Sequence, residues 1–329
     1  MSKTQVGIVG YGNLGRGVET ALMSAPDMSL SAIFPRRDPA SIHPLSSAVS
    51  VRPLAEVETM KGCIDVLIIC AGSATDLPEM TPALARSFNV VDSYDHHALI
   101  QDHYAKVDAV ARENQTLAII SAGWDPGLFS INRVSADAVF PNGVSTTFWG
   151  KGVSQGHSDA LRRVSGVLDA RQYTIPIEDA LRRVRSGDRT KLTTREKHVR
   201  ECFVVAEKDA DLNRIEAEIK AMPGYFADYD TTVHFITQAE LDRDHRALPH
   251  GGSVIHTGTT GAARKHHCLV EFHVEMDSNP EFTGAILAAY ARAVVRMHQR
   301  GMVGCRTVLD VAPSDLSTLS GEELRRKFL

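Results

Sequence analysis

Gln5-Val6-Gly7-Ile8-Val9-Gly10-Tyr11-Gly12-Asn13-Leu14-Gly15 decides the fold of this 329-residue chain. Gln5 to Val9 is a short β-branched run that predicts a strand, and Leu14 to Ser24 carries apolar residues at helical spacing. The three glycines at the junction form a GxGxxG pattern. In that context the first permits a tight turn, the second lets the backbone approach a pyrophosphate, and the third allows close helix–strand packing. The stretch therefore predicts a dinucleotide site, with the anion at a helix N-terminus.

The rest of the first third alternates strand and helix patterns, which is typical of a parallel sheet. The predicted strands are Ser29 to Phe34, Asp65 to Cys70, Asn89 to Asp92 and Thr116 to Ser121. After Gly123, strand patterns are widely spaced and long polar helices lie between them, which predicts an α+β arrangement. The strands predicted there are Ser145 to Trp149, Cys202 to Ala206, Thr231 to Thr237 and Leu269 to Met276, followed by a last helix from Phe282 to Arg300.

The end of the second predicted strand distinguishes between the two nicotinamide dinucleotides. An NAD site usually places Asp or Glu about 20 residues after the glycines to hold the ribose 2′-hydroxyl. This chain has Phe34-Pro35-Arg36-Arg37 instead. Two guanidinium groups suit a 2′-phosphate, which arginine can bind bidentately while neutralising its charge. The sequence therefore predicts NADP, with Asp38 leaving NAD open as the alternative.

Composition excludes several classes of function. The chain has 36 Lys+Arg against 40 Asp+Glu and no long basic run, which argues against nucleic acid as a partner. Its longest apolar stretch, Val66 to Ala71, is far too short to span a membrane. The five cysteines include no CxxC pair, which favours reduced thiols over a disulfide framework or a metal site. With no signal-peptide pattern at the N-terminus, we expect a cytoplasmic, soluble α/β protein.

Ten longer runs resemble the NADP-dependent meso-diaminopimelate dehydrogenase family, in order and over nearly the whole chain. They are GYGNLGRGVE, IFPRRDP, CAGSATDLPE, VDSYDHH, SAGWDPGLFSINRV, FWGKGVSQGHSDALRRV, RQYTIP, HVRECFVV, LPHGGSVIHTG and SNPEFT. The resemblance implies reversible oxidative deamination of the D-centre of meso-2,6-diaminopimelate to L-2-amino-6-oxopimelate, the open form of tetrahydrodipicolinate, and ammonia. This step belongs to lysine and peptidoglycan-precursor biosynthesis.

The resemblance also implies the domain organisation and the quaternary structure. We expect a Rossmann-type dinucleotide-binding domain over residues 1–122, to which residues 280–329 return. An α+β domain with an open sheet, over residues 123–279, would bind substrate and form a homodimer.

Cofactor contacts implied by the resemblance fall on five segments of the chain. They are Gly10, Tyr11, Gly12, Asn13, Leu14 and Gly15; Pro35, Arg36 and Arg37; Cys70, Ala71, Gly72 and Ser73; Ser93, Tyr94 and Asp95; and Ala122, Gly123, Trp124, Asp125 and Pro126. One departure is Pro35, where the family has a serine, and the lost hydroxyl would weaken the grip on the 2′-phosphate.

Substrate contacts implied by the resemblance number nine. They are Asp95, Asp125, Trp149, Gln155, Gly156, Thr174, Arg200, His250 and Asn279. Their chemistry suits a molecule with two ammonium and two carboxylate groups. Asp95 and Asp125 can pair with an ammonium, and either is a candidate catalytic base. Arg200, Thr174 and His250 can hold carboxylates, and Trp149 offers an apolar wall.

Other interpretations of the same residues remain open on local patterns. Asp125 before Pro and Gly is also ordinary turn chemistry, Asp92 and Asp95 could be helix N-caps, and Ser158 or Asp159 could cap the following helix. The stretch from Pro249 to Gly252 could be a plain loop.

Two other functions also remain open. One is a broader D-amino acid dehydrogenase of the same family, and the other is a non-catalytic NADP sensor. A glucose–fructose-type oxidoreductase is disfavoured, because Val-Asp-Ser-Tyr-Asp at 91–95 lacks that class's catalytic lysine.

Overall fold

The computed structural model describes residues 3–140 and 142–329, and the chain divides into two compact units. The first unit comprises Met1–Ile131 and Pro280–Leu329, and the second comprises Asn132–Asn279. Within the described ranges, no helix is both long enough and apolar enough to cross a membrane.

Strands and helices alternate regularly only in the first part of the chain. The strands are β1 (Thr4–Val9), β2 (Met28–Phe34), β3 (Ser50–Val51), β4 (Val66–Ile69), β5 (Asn89–Asp92), β6 (Leu117–Ile119), β7 (Val144–Trp149), β8 (Gly152–Val153), β9 (Val167–Pro176), β10 (His198–Ala206), β11 (Asp230–Phe235), β12 (His250–Thr260), β13 (His266–Met276) and β14 (Gly304–Arg306). The α-helices are α1 (Asn13–Met23), α2 (Leu77–Leu84), α3 (Ile100–Glu113), α4 (Leu128–Val139), α5 (Gln155–Arg162), α6 (Glu178–Arg185), α7 (Thr194–Lys197), α8 (Leu212–Ala221), α9 (Gln238–Asp244), α10 (Asn279–Gln299), α11 (Pro313–Leu316) and α12 (Gly321–Phe328). Short 3₁₀ helices lie at Pro39–Ser41, Leu54–Met60, His97–Leu99 and Val308–Asp310.

The first unit is built on a seven-stranded sheet in the order β14-β6-β5-β4-β1-β2-β3, with every pair parallel. The strand order reverses between β1 and β4, which is the arrangement of a Rossmann fold and places the ligand crevice at that switch point. Central strand β4 is buried along its whole length, because helices cover both faces of a parallel sheet. The predicted Rossmann domain is confirmed.

The long helix α10 packs closely on α1 within the first unit. A Cβ added at Gly17 would lie 2.3 Å from the Pro280 carbonyl oxygen, and one added at Gly284 would lie 2.4 Å from the Gly17 carbonyl carbon. Arg292 then forms a bidentate ion pair with Asp27, at 2.6 and 2.9 Å. Only glycine permits backbones to approach this closely, so these two glycines allow the C-terminal segment to pack against α1.

The second unit contains two sheets with separate cores. One has the order β11-β10-β9-β8 and packs on α5 and α8 through buried residues that include Leu161, Cys202 and Phe226. The other has the order β13-β12-β7 and packs on α6 through Phe148 and Leu181. The predicted combination of a Rossmann domain with an α+β domain is confirmed.

Two long strands of the second unit were not predicted as strands. β9 and β12 run for 10 and 11 residues. β12 is the central strand of its sheet and is buried from His250 to Thr259, so its sequence shows no alternation of apolar and polar residues. The interpretation of Pro249 to Gly252 as a plain loop is wrong from His250 onward, because this residue already pairs with Met276.

Candidate active site

The glycine-rich turn has the geometry that a pyrophosphate site requires. Gly10 has φ of +89°, and a Cβ added there would lie 2.4 Å from the Cys70 carbonyl oxygen. A Cβ at Gly15 would lie 2.4 Å from the Gly10 carbonyl oxygen, whereas one at Gly12 would meet nothing within 4 Å. Gly12 is the N-cap of α1, and no side chain caps it. Backbone packing therefore requires glycine at positions 10 and 15. Gly12, in contrast, leaves open space at the N-terminus of α1.

The five predicted cofactor segments all follow carboxyl ends of strands in the parallel sheet. Gly10 to Gly15 follow β1, Pro35 to Arg37 follow β2, Cys70 to Ser73 follow β4, Ser93 to Asp95 follow β5, and Ala122 to Pro126 come just after β6. Because these strands are parallel neighbours, the segments meet at one edge of the first unit.

The arginine pair is tied to neighbouring loops of that edge. Arg37 Nη2 donates to the Tyr11 carbonyl at 2.9 Å, and Arg36 Nη1 lies 2.6 Å from Asp76 Oδ1. The other oxygen of Asp76 accepts from the Gly72 N–H at 2.8 Å. Both guanidinium groups remain exposed at the end of β2. The open space at Gly12 and this pair of cations fit the pyrophosphate and the 2′-phosphate of NADP.

Asp92 joins the loops that follow β5 and β6. Its Oδ2 accepts hydrogen bonds from Thr81 and His103, both at 2.8 Å. Its Oδ1 accepts from the backbone N–H groups of Tyr94 at 3.1 Å and Ser121 at 2.9 Å. The alternative that Asp92 is a helix N-cap is therefore wrong, because this buried carboxylate holds two loops and two helices together.

Asp95 and Asp125, the predicted catalytic carboxylates, lie in these two loops of the first unit. Asp95 is exposed, and its Oδ1 accepts from the Ser73 hydroxyl. Its backbone N–H donates to the Ser73 hydroxyl oxygen at 2.9 Å. It therefore caps no helix. Asp125 is partly buried within a turn closed by an antiparallel bridge between Trp124 and Gly127.

Arg200 is the centre of the polar cluster in the second unit. It lies on β10 directly opposite Thr174 of β9, and its Nη1 donates to the Thr174 hydroxyl. Its Nη2 lies 3.5 Å from His157 Nε2, and its guanidinium carbon is 3.9 Å from the centroid of the Tyr229 ring. The side chain is held on three sides while the residue is only 5% exposed.

This buried guanidinium has no counter-ion among the described residues. Among residues 3–140 and 142–329, no carboxylate lies within ion-pair distance of Arg200, and its Nε is buried without a hydrogen-bond partner. Burial lowers the pKa of this guanidinium from its usual value. Burying an uncompensated charge costs several kcal/mol, and a planar guanidinium matches a carboxylate bidentately. The cluster therefore has the composition of a carboxylate-binding site.

Three histidines near Arg200 add no positive charge at neutral pH. Burial lowers the pKa of His157 and His198 to about 3, with a further contribution from the nearby Arg200 cation. Burial also lowers the pKa of His250, again with a contribution from Arg200. His198 Nε2 accepts from the Trp149 N–H at 2.8 Å, and the two rings stack with centroids 5.5 Å apart. His198 thus fixes the strand that carries the predicted apolar wall.

The other predicted substrate residues of this unit lie at ends of elements. Gln155 and Gly156 begin α5, and a Cβ at Gly156 would meet nothing within 4 Å. The N-cap of α5 is Ser154, so the interpretation of Ser158 or Asp159 as the cap is wrong. Asn279 donates its N–H to the Leu248 carbonyl at 2.9 Å, two residues before His250 begins β12.

Metal-ligating side chains do not cluster in the described ranges. There, no group of three His, Cys, Asp or Glu residues could hold a metal ion.

Comparison with known proteins identifies the family. Residues 123–278 match the family model for the diaminopimelic acid dehydrogenase C-terminal domain. The meso-diaminopimelate D-dehydrogenase of Ureibacillus thermosphaericus is 53% identical over 329 residues, with 100% of both chains covered. The chain belongs to the meso-diaminopimelate D-dehydrogenase family.

Two solved structures are similar over the full chain. The diaminopimelate dehydrogenase of Corynebacterium glutamicum in complex with diaminopimelate is 46% identical, with a TM-score of 0.93 and 100% of both chains covered. An engineered D-amino acid dehydrogenase bound to NADP+ is 44% identical, with a TM-score of 0.89 and the same coverage.

Sequence reasoning missed the residues that support the predicted contacts. It did not identify the supporting residues His157, His198 and Tyr229. It also did not identify Asp92 as the carboxylate that joins several elements. His157 lies within the SQGHSDALRR run, and His198 begins the HVRECFVV run. Their position in runs that resemble the family was the signal that could have identified them. Tyr229 precedes a strand in a polar segment and gave no comparable signal.

Proposed function

We propose that the protein is an NADP-dependent meso-diaminopimelate D-dehydrogenase of lysine and peptidoglycan-precursor biosynthesis. It oxidises the D-centre of meso-2,6-diaminopimelate to L-2-amino-6-oxopimelate and ammonia, and the reaction is reversible. The observation that carries the proposal is Arg200, a nearly buried cation that contacts a hydroxyl, an imidazole and an aromatic ring. A substrate carboxylate supplies the missing anion, in a chain that belongs to this family.

The cofactor is held by the edge of the sheet in the first unit. NADP, when bound, supplies the hydride acceptor for oxidation of the amine-bearing carbon. The α1 N-terminus and the open space at Gly12 receive the pyrophosphate, while Arg36 and Arg37 receive the 2′-phosphate. The remaining predicted contacts, which end at Pro126, line the same edge.

Carboxylates of the protein are the groups that transfer protons in the reaction. The amine must be neutral before its carbon loses a hydride, so a base beside the reacting ammonium accelerates the reaction. Asp95 and Asp125 are the two candidates. Ser73 fixes the orientation of Asp95 by exchanging two hydrogen bonds with it. Either carboxylate can also hold the water that hydrolyses the resulting imine.

Substrate carboxylates bind in the second unit. Arg200 provides charge, and Thr174 and His250 provide hydrogen bonds close to it. Trp149, held by His198, packs against the methylene chain. Gln155, Gly156 and Asn279 are neutral hydrogen-bond partners.

We also propose a cytoplasmic homodimer formed through β13. This 11-residue strand is at the edge of its sheet and, among the described strands, pairs with β12 alone. Leu269 and Val270 are each 44% exposed on it. A long exposed edge with apolar side chains is a surface that proteins normally cover. All five cysteines are free thiols, as suits a reducing cytoplasm.

The initial rate of NADPH formation tests the proposed activity. The substrates are meso-diaminopimelate, its LL- and DD-isomers, D-lysine and D-alanine, each with NADP and with NAD. We expect rapid reduction of NADP with the meso isomer, little with NAD and none with D-alanine. Comparable rates across simple D-amino acids would assign the protein to the broader alternative, and no turnover despite NADP binding would indicate a sensor.

A further inference from the structure

His157 is locked in place by its own helix and by two aromatic rings. Its backbone N–H donates to the Ser154 hydroxyl at 3.4 Å, and its ring Nδ1 lies 2.7 Å from the same oxygen. The rings of Tyr225 and Phe226 pack against it in T-shaped arrangements, with centroid distances of 5.3 and 5.8 Å. The free direction of the imidazole therefore points its Nε2 at Arg200.

The partners of His157 determine which nitrogen carries the proton. Arginine has five N–H donors and no acceptor, so Nε2 can only accept from Arg200. The proton then resides on Nδ1, which donates to the Ser154 hydroxyl at 2.7 Å. A protonated imidazole would place a second cation 3.5 Å from the Arg200 guanidinium. Burial, which lowers the pKa of His157 to about 3, keeps the ring neutral.

The contacts of Arg200 divide its donors into held and available ones. Thr174 and His157 each accept from one Nη atom, and the Tyr229 ring fixes the plane of the guanidinium. The Nε–H has no partner among the described residues and is buried. Because His157 is the contact to Nη2, loss of its acceptor leaves rotation of the guanidinium about the Thr174 contact less constrained, within the plane that the Tyr229 ring sets.

We infer that His157 is a positioning residue for substrate recognition, which holds the Arg200 guanidinium through Nε2 in the orientation that receives a substrate carboxylate. This inference rests on the proposed function of the Arg200 site. It adds a residue that need not touch the substrate itself. His157 acts through Arg200, so its effect belongs to substrate binding and not to hydride transfer.

Three substitutions separate this role from a merely structural one. His157→Gln places an amide oxygen near the position of Nε2 and keeps an acceptor for Arg200. His157→Asn reaches only the position of Nδ1, so it keeps the Ser154 contact and loses the contact to Arg200. His157→Leu loses both. We expect the KM for meso-diaminopimelate to rise about tenfold in the Asn and Leu variants and to stay within about threefold in the Gln variant. The KM for NADP and the value of kcat should change less than twofold.

A double-mutant cycle tests whether the effect passes through Arg200. His157→Leu should raise the KM about tenfold in the wild-type background and less than twofold in an Arg200→Met background. Equal effects in both backgrounds, or an Asn variant as good as the Gln variant, would overturn the inference. Failure of the wild-type enzyme to oxidise meso-diaminopimelate would instead overturn the proposed function. Thermal unfolding of each variant shows whether a raised KM comes from a folded protein.

Discussion

Nε2 of His103 lies 2.8 Å from Oδ2 of Asp92, and the two side chains are 2% and 0% exposed. This contact connects helix α3 to the ends of β5 and β6, where the loops with the predicted catalytic carboxylates begin. The His103 ring also packs against the Tyr94 ring at a tilt of 31°, with centroids 4.2 Å apart. The pair therefore stabilises the loops that carry the predicted catalytic carboxylates, although neither residue is a predicted contact of cofactor or substrate.

We expect His103→Phe to destabilise the protein by about 2–4 kcal/mol, because a buried carboxylate loses one of its partners. Urea unfolding measures the effect. Lys106→Ala is the matched control, since Lys106 lies on the same helix and forms an exposed ion pair with Glu79 worth about 0–1 kcal/mol. Equal losses in the two variants would show that Asp92 and His103 are not coupled.

Substitution of two glycines in the same turn should separate binding from folding. Gly12→Ala should leave stability unchanged, because the added methyl meets nothing within 4 Å, but raise the KM for NADP at least about tenfold by filling the space of the pyrophosphate. Gly15→Ala should destabilise by about 1–3 kcal/mol, because the methyl would lie 2.4 Å from the Gly10 carbonyl oxygen. Thermal unfolding with and without NADP distinguishes them; a stable Gly15→Ala protein would contradict the packing argument.

Cofactor preference should depend on the arginine pair. Removing both guanidinium groups, in Arg36→Ala/Arg37→Ala, should raise the KM for NADP by about 10- to 100-fold and leave the KM for NAD within about twofold, because only NADP carries the 2′-phosphate. Arg86→Ala, at another exposed arginine of the first unit, controls for the loss of positive charge. If both dinucleotides weaken equally, the pair does not read the 2′-phosphate.

Stability should fall as the pH drops below neutrality, in part because of His198. Its pKa is about 3 in the folded protein against 6.5 when unfolded. Between these values the unfolded chain binds the extra proton, so this contribution is complete above about pH 6.5 and is lost progressively toward pH 3. The loss amounts to about 1 kcal/mol at pH 5.5.

Urea unfolding at pH 7.5 and 5.5 measures this dependence. His198→Gln, whose amide oxygen can still accept from the Trp149 N–H, should reduce the pH dependence. His97→Gln, at an exposed histidine, should leave it unchanged. A His198→Gln protein with the wild-type slope would show that His198 titrates normally in the folded state.

The first unit was largely predictable from the sequence because its signals are local. A β-branched run defines a strand, three glycines define a turn, and an arginine pair defines a local charge, each within a few residues. Asp92 shows the limit of this reasoning. Its partners Thr81, His103 and Ser121 come from separate elements and meet only when the sheet is assembled.

The second unit was harder to predict, because its strands do not alternate. β12 has glycines and polar residues such as Ser253 and His256 in a strand buried on both faces. Arg200 and Thr174 are 26 residues apart and become neighbours only through the register of β9 and β10. The chemistry of a buried cation with no counter-ion in the described part of the chain therefore follows from tertiary structure and not from any motif.

The KM of Arg200→Met for meso-diaminopimelate tests the central claim most directly. We predict an increase of at least about 100-fold, because a buried charge–charge contact is lost, with the KM for NADP unchanged. Arg195→Met, at an exposed arginine paired with Asp230, should behave as the wild type. A KM within about twofold of the wild-type value, in a folded Arg200→Met protein, would contradict the assignment of Arg200 as the carboxylate anchor.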